Sequence, residues 1–212
     1  MQLTTIEYQN YEKELPQEGN HILAQQTSDT LIVYQAFNPQ ISTYAVQNQH
    51  FGGNHYSFNR MSWIKPNFLW MMYRCGWASK VNQQRVLAIE LRKVHFEEVL
   101  AQAVHSSFKS DVYASREAWQ EQVKQSEVRL QWDPDHDPFG TKLQRRAIQL
   151  GLRGEMLEKF GKEWILSIED ITDFVVEQGK KVQAGDLSNL QVMKEEVVAI
   201  QSRSVREKLQ IF

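Results

Sequence analysis

The sequence predicts an α+β fold in a single domain, and three observations carry the expectation. Runs rich in β-branched and aromatic residues recur along the chain, as in TLIVYQAF at 30–37 and QRVLAIELR at 84–92. Segments with apolar residues at helical spacing lie between them, as in FEEVLAQAV at 96–104. The two kinds of segment do not alternate strictly, as they would in a parallel α/β sheet.

Taken in order, residues 1–28 are polar and form an N-terminal arm, 29–202 form the domain, and 203–212 form a polar tail with an apolar tip. The run 30–37 reads as a strand. Asn38 is placed to cap a helix that has Pro39 at its first position. GGNHYSFN is a loop, and RMSWI is a short strand. Pro66 opens a helix through PNFLWMMYRC, and Gly76 is placed to end it. The strand at 84–92 is the clearest, with a buried VLAI run. A helix follows at 96–104, 116–126 is another helix or a partly helical connection, and VRLQWD at 128–133 is a strand. TKLQRRAIQLGL reads as a basic amphipathic segment capped by Thr141 or Asp137. Ser167 and Asp170 form a capping-box-like pattern that starts a helix over 167–181. EEVVAI at 195–200 is the last strand.

Composition excludes several classes. The 212 residues are 42% hydrophobic, 24% charged and 11% aromatic, and the net charge is −2. Such a chain folds, and no global field draws it to nucleic acid or a membrane surface. A polyanion would have to meet a local patch. One cysteine allows neither an internal disulfide nor a cysteine-rich zinc site. No run approaches the ~18 apolar residues of a membrane span, so a cytoplasmic protein is expected. The glycines match neither a dinucleotide fingerprint nor a phosphate-binding loop. No G-x-S-x-G nucleophile elbow occurs. The six histidines form no metal-binding pair on one helix face.

The densest stretch is RMSWIKPNFLWMMYRCGWASK, residues 60–80, with three of the six tryptophans, the only cysteine and four cations. Core packing explains the aromatics but not Arg60, Lys65, Arg74 and Lys80. Guanidinium and ammonium groups match phosphate oxygens, and indole faces stack on rings. The segment therefore predicts either a core helix with snorkelling cations or a site for a phosphorylated, ring-bearing ligand. The Asp133–Asp137 stretch, WDPDHDPFG, is turn-forming and offers carboxylates to a divalent cation, without the terminal Glu of a calcium loop. Arg145, Arg146 and Arg153 form either a solvated helix face or a phosphate-binding edge. His105 is a candidate proton carrier or a structural histidine. Glu195 and Glu196 open the final strand, either as solvated acids or as carboxylates facing a cleft.

VYQAFNPQIS, the 60–80 stretch, QRVLAIELR, FEEVLAQAV and VRLQWDPDHDP together resemble the domain-of-unknown-function family 4291, over roughly residues 20–200. The order of elements is more remotely similar to the ADP-ribosyltransferase fold, and that resemblance implies a mainly antiparallel, split β-sheet that grips NAD. The signature of that fold is an Arg or His on an early strand, a Ser, Thr or Tyr on the next, and a Glu opening a late strand. Here Tyr34 and Gln35 stand on the early strand, with Arg60 as a substitute for its cation. Ser62 and Trp63 lie on the next, and Glu196, then Glu195, open the late one. The resemblance implies NAD as substrate for ADP-ribosyl transfer or NAD hydrolysis, with nucleic acid or protein as acceptor and Glu196 stabilising the oxocarbenium-like ribose. Arg60, Lys65 or Arg74 would hold the pyrophosphate, and Tyr34, Trp63 or Tyr73 would stack on nicotinamide. A non-catalytic nucleotide or nucleic-acid binder using the same cluster is the alternative. A metal-dependent enzyme built on the acidic loop, and a structural or regulatory partner, also stay open.

Overall fold

Residues 30–37 pair along their whole length with 85–92, and this antiparallel ladder is the centre of the molecule. The computed structural model describes residues 1–211. In chain order its elements are β1 (Thr5–Glu7), α1 (Tyr8–Glu14), β2 (Gly19–Asn20), β3 (Leu23–Ala24), β4 (Thr30–Phe37) and α2 (Pro39–Asn48). Then come β5 (Ser62–Ile64), α3 (Phe68–Cys75), β6 (Arg85–Arg92), α4 (Lys93–Gln102), β7 (Ala103–His105) and α5 (Arg116–Gln125). The long strands β8 (Val128–His136) and β9 (Lys142–Leu152) lead into α6 (Gly154–Lys159), which runs on as a π turn over Phe160–Trp164. The chain closes with β10 (Ile165–Asp170), α7 (Thr172–Gln183), β11 (Gln191–Met193), β12 (Glu196–Val197) and α8 (Arg203–Leu209).

The result is one α+β domain. An antiparallel sheet has the order β10–β6–β4. A mixed sheet has the order β2–β9–β8–β7, with β5 also antiparallel to β9, and with β2–β9 and β7–β8 parallel. Alternation along β4 and β6 divides the core, because successive side chains leave a strand on opposite faces. Leu31, Val33, Leu87 and Ile89 face Ile41 and Ala45 of α2, Phe96 and Leu100 of α4, and Ile148 and Leu150 of β9. Ile32, Tyr34, Val86 and Ala88 face Phe68, Leu69 and Met72 of α3, Val175 of α7 and Tyr11 of the N-terminal segment.

Several expectations are corrected. Residues 142–152 are a strand. Leu143, Ala147 and Leu150 fit a helical stripe, but Ile148, Leu150 and Leu152 fit period two, and the long pairing with β8 decides between them. Ser167 does not start a helix. It lies in β10, where its hydroxyl donates to Glu90 at 3.0 Å, and α7 starts at Thr172, whose N–H donates to Asp170 at 2.9 Å. The final strand shrinks to Glu196–Val197. The tail contains α8, capped by Ser202, with Leu209 and Ile211 buried. The helix expected over 96–104 starts at Lys93 and gives way to β7 at Ala103. The expected cap at Asn38 forms, its Oδ1 accepting from Ile41 N at 3.0 Å, and Gly76 ends α3 at φ 59° as expected. Pro66 does not open that helix, which starts at Phe68 because Asn67 is its cap, Oδ1 accepting from Trp70 N at 2.6 Å. No helix among the described residues is long and apolar enough to cross a membrane.

Candidate functional site

The two sheets touch through one backbone bridge. Tyr34 N donates to Lys65 O at 2.6 Å, and Lys65 N donates to Tyr34 O at 3.2 Å. Beyond that bridge β4 and the start of β5 separate. The Gln35 side chain spans the gap, its Nε2 donating to Ser62 Oγ at 2.8 Å and to Trp63 O at 3.2 Å. A side-chain amide thus replaces the ladder bond that the parting strands no longer make.

The wedge between them is a cavity of about 440 Å³, within the size range of small-molecule sites. Gln35, Ala36 and Phe37 of β4 form one wall. Arg60, Met61, Ser62 and Trp63 form the other, and Lys65, Met71, Arg74, Gln131 and Gln149 close it. A second cavity of about 240 Å³, with His55 and Tyr56, shares Phe37, Arg60, Ser62 and Asn82 with the first. The two form one groove with Arg60 between them.

Each lining group has a local cause. Trp63 and Met61 lie directly on the β9 backbone. A Cβ at Gly151 would sit 2.6 Å from Met61 Sδ and 3.0 Å from Trp63 Cε2, so glycine lets them approach. Arg74 is carried on α3, whose start is anchored from below by the buried Glu195. The Glu195 carboxylate accepts from Tyr11 Oη at 2.6 Å, Asn67 Nδ2 at 3.1 Å and Phe68 N at 2.6 Å. A carboxylate at a helix N-terminus meets orphan N–H groups and the positive end of the dipole. The segment after α3 holds Gly76, Trp77, Ala78 and Asn82 at φ of 59°, 53°, 66° and 61°. Left-handed conformations at three non-glycine positions cost energy, and such strain gathers at functional sites. This segment contributes Asn82 and Gln83 to the cavity lining.

Electrostatically the cleft is cationic. Lys65 is 4% exposed and lines the cavity, yet no carboxylate pairs with it among the described residues. Burial, reinforced by the Arg74 charge, lowers its pKa from 10.5 to about 8, against a smaller upward pull from Asp133. Asp133 is itself occupied, accepting from Gln131 at 2.7 Å and from Gln149 at 2.8 Å. Buried lysines are almost always paired, and Lys65 is buried along its length without a carboxylate partner among the described residues.

Of the eight predicted ligand-contact residues, Gln35, Arg60, Ser62, Trp63, Lys65 and Arg74 line this cavity. Tyr34 does not: its ring packs edge-on to Phe68 in the core on the opposite face of β4. Tyr73 also lies outside, stacked on His136 with centroids 3.6 Å apart. Glu196 is exposed and lines a different cavity with Gln26, Lys93 and Glu97, sharing no lining residue with the Arg60 cleft. Glu195 is enclosed in its network with Tyr11, Asn67 and Phe68.

The carboxylates of the Asp133–Asp137 stretch all have protein donors. Besides Asp133, Asp135 accepts from Arg145 Nε at 2.6 Å, and Asp137 accepts from Phe139 N at 2.9 Å and Thr141 N at 2.8 Å. Arg145 is 1% exposed and also donates to both oxygens of Glu12, at 3.0 and 2.7 Å, so it is neither a solvated face nor a phosphate-binding edge. His105 Nδ1 sits 3.0 Å from Tyr113 Oη in a buried pair.

Sequence reasoning missed Gln131, Gln149, Asn82 and Gln83. Gln131 and Gln149 each interrupt a short apolar run, between Leu130 and Trp132 and between Ile148 and Leu150, which was the available signal. Asn82 and Gln83 lie in a loop that carried none.

A family model described as "Domain of unknown function (DUF4291)" matches residues 21–198. No curated protein matches the chain.

Proposed function

The chain belongs to the DUF4291 family, and on that premise we propose that its cleft binds a phosphorylated, ring-bearing ligand of the nucleotide class, with NAD the first to test. The observation that supports this reading is Lys65, a buried lysine without a carboxylate partner among the described residues, lining one cavity with Arg60, Arg74 and Trp63. A phosphate would supply the missing anion, bound by charge-assisted hydrogen bonds from the ammonium and the two guanidinium forks. The indole of Trp63 offers a stacking face. The larger cavity, of about 440 Å³, has room for a small molecule of nucleotide size.

ADP-ribosyl transfer or NAD hydrolysis is the narrower proposal, with nucleic acid as a candidate acceptor. It demands a carboxylate near the scissile ribose bond. Glu196 would have to act from outside the Arg60 cavity. Binding is therefore the reading the geometry supports best.

Calorimetric titration with ADP and NAD tests it. Wild-type protein is expected to bind, with affinity falling as salt rises. Arg60→Ala and Arg74→Ala are each expected to weaken binding about tenfold, the scale of a lost charged hydrogen bond. Glu196→Gln should bind as wild type does. No binding by wild type, or loss of binding in Glu196→Gln alone, contradicts the reading. Nicotinamide release that disappears in Glu196→Gln would favour the transfer chemistry.

A further inference from the structure

Gln35 is a second anomaly of the cleft, independent of its cations. It is 3% exposed and lines the cavity. Its Nε2 is committed to Ser62 Oγ and the Trp63 carbonyl. Its Oε1 is buried and has no hydrogen-bond partner among the described residues. Exchanging the amide's nitrogen and oxygen does not repair this, because Oε1 would then face the Trp63 carbonyl, acceptor against acceptor. The Trp63 carbonyl therefore fixes the amide so that the unsatisfied group is an acceptor. The surrounding groups do not answer it. Lys65 Nζ makes no hydrogen bond to it, and the amides of Gln131 and Gln149 are turned to Asp133.

We propose that the cleft selects its ligand by an amino group: an N–H₂ carried on the ligand's ring donates to Gln35 Oε1. Rings bearing an exocyclic amine or a carboxamide are accepted. Their counterparts with a carbonyl or a carboxylate at that position are refused, since two acceptors would meet in a buried site. Gln35 is a specificity-determining residue here, and the inference rests on the cleft being a nucleotide site. Two sources of the amino group share this chemistry, the 6-amino group of adenine and the carboxamide of nicotinamide. NAD carries both.

Three dinucleotides separate them in the same titration: NAD, the analogue with hypoxanthine in place of adenine, and the analogue with nicotinic acid in place of nicotinamide. One analogue is expected to bind at least about tenfold more weakly than NAD, because a site built to bond a polar group rejects the ligand that lacks it. Which one is weakened identifies the ring that meets Gln35. In Gln35→Met, of similar shape and without the acceptor, NAD is expected to bind about tenfold more weakly and the discrimination to shrink to within about twofold. Wild-type discrimination needs no variant, so a Gln35→Met protein that fails to fold leaves the test intact, and Ser62→Ala, which loosens the amide's anchor, is then expected to reduce the ratio partially. Equal or tighter binding of both analogues by wild type overturns the inference, as does discrimination that survives in Gln35→Met. Binding of all three without preference sinks amino-group selection alone. Binding of none removes the nucleotide reading together with it.

Discussion

Replacing Lys65 with methionine should separate stability from binding. In the folded protein the Lys65 ammonium is held in a site that depresses its pKa from 10.5 to about 8, a penalty of about 3 kcal/mol. Methionine keeps the hydrocarbon stem and removes the charge. Thermal unfolding should show Lys65→Met melting at or above the wild-type temperature, since trading a buried charge for a packed apolar group is often neutral or stabilising. Titration should show its affinity for ADP falling at least about tenfold, the scale of a lost charged hydrogen bond. A variant that lost both stability and binding would indicate a structural lysine. The pH dependence carries a defined sign. A lysine whose folded pKa lies below its unfolded value gives up its proton first in the folded state. This group's contribution to stability therefore rises with pH between about 8 and 10.5. ADP affinity moves the other way, falling as pH passes about 8, and Lys65→Met should flatten that fall.

At the scale of elements, two contacts hold the cleft in shape. The first is the seating of Trp63 on β9. Gly151→Ala would push its Cβ into Met61 and Trp63 and should cost about 1–3 kcal/mol, as overpacked sites do, while weakening ADP binding. Calorimetric unfolding and the same titration check both effects. The second is the anchoring of α3 on Glu195. Glu195→Ala strands Tyr11 Oη, Asn67 Nδ2 and Phe68 N without their acceptor, and a loss of about 2–4 kcal/mol is expected in chemical denaturation. A near-neutral Glu195→Ala would show that α3 does not depend on that carboxylate. Local signals made these elements readable in unequal measure. Asn38–Pro39 and Gly76 were legible as helix ends, Asn67 was hidden behind the stronger signal of Pro66, and β4 and β6 carried continuous apolar runs. β9 could not be told from a helix, because its apolar residues satisfied both periods until β8 was placed beside it. Ser167 imitated a helix start, and its hydroxyl serves a cross-strand bond to Glu90 instead.

For the whole molecule, the N-terminal residues are part of the domain's frame. Arg145 is buried between Glu12 of α1 and Asp135 of β8. Burial alone would lower its pKa, and those carboxylates raise it instead. Tyr11 reaches the Glu195 network. Deleting residues 1–16 should therefore leave buried charges unpaired and lower the melting temperature by about 10 °C, from several kcal/mol at ~2–4 °C per kcal/mol. Circular dichroism melting checks this, and an unchanged melting temperature would mean that the arm is dispensable. The same distribution explains what the sequence could convey about the site. Arg60, Ser62, Trp63, Lys65 and Arg74 lie close together in the chain, so their clustering was legible. Gln131, Gln149 and the Gln35 bridge come from distant strands, and only the separation of β4 from β5 brings them to one cavity. Tyr34 and Tyr73 belong to the same runs but leave their backbones in other directions, which spacing along the chain does not reveal.

The central claim is that the fork between β4 and β5 is a ligand site. Amide chemical-shift mapping of the labelled full chain with ADP tests it most directly. The expected result is a saturable set of perturbations at Gln35–Phe37, Arg60–Lys65 and Gln149, which in Lys65→Met saturates only at ADP concentrations about tenfold or more higher. Perturbations confined to the Gln26, Lys93 and Glu196 cavity, or a spectrum unmoved by ADP and NAD, would contradict it.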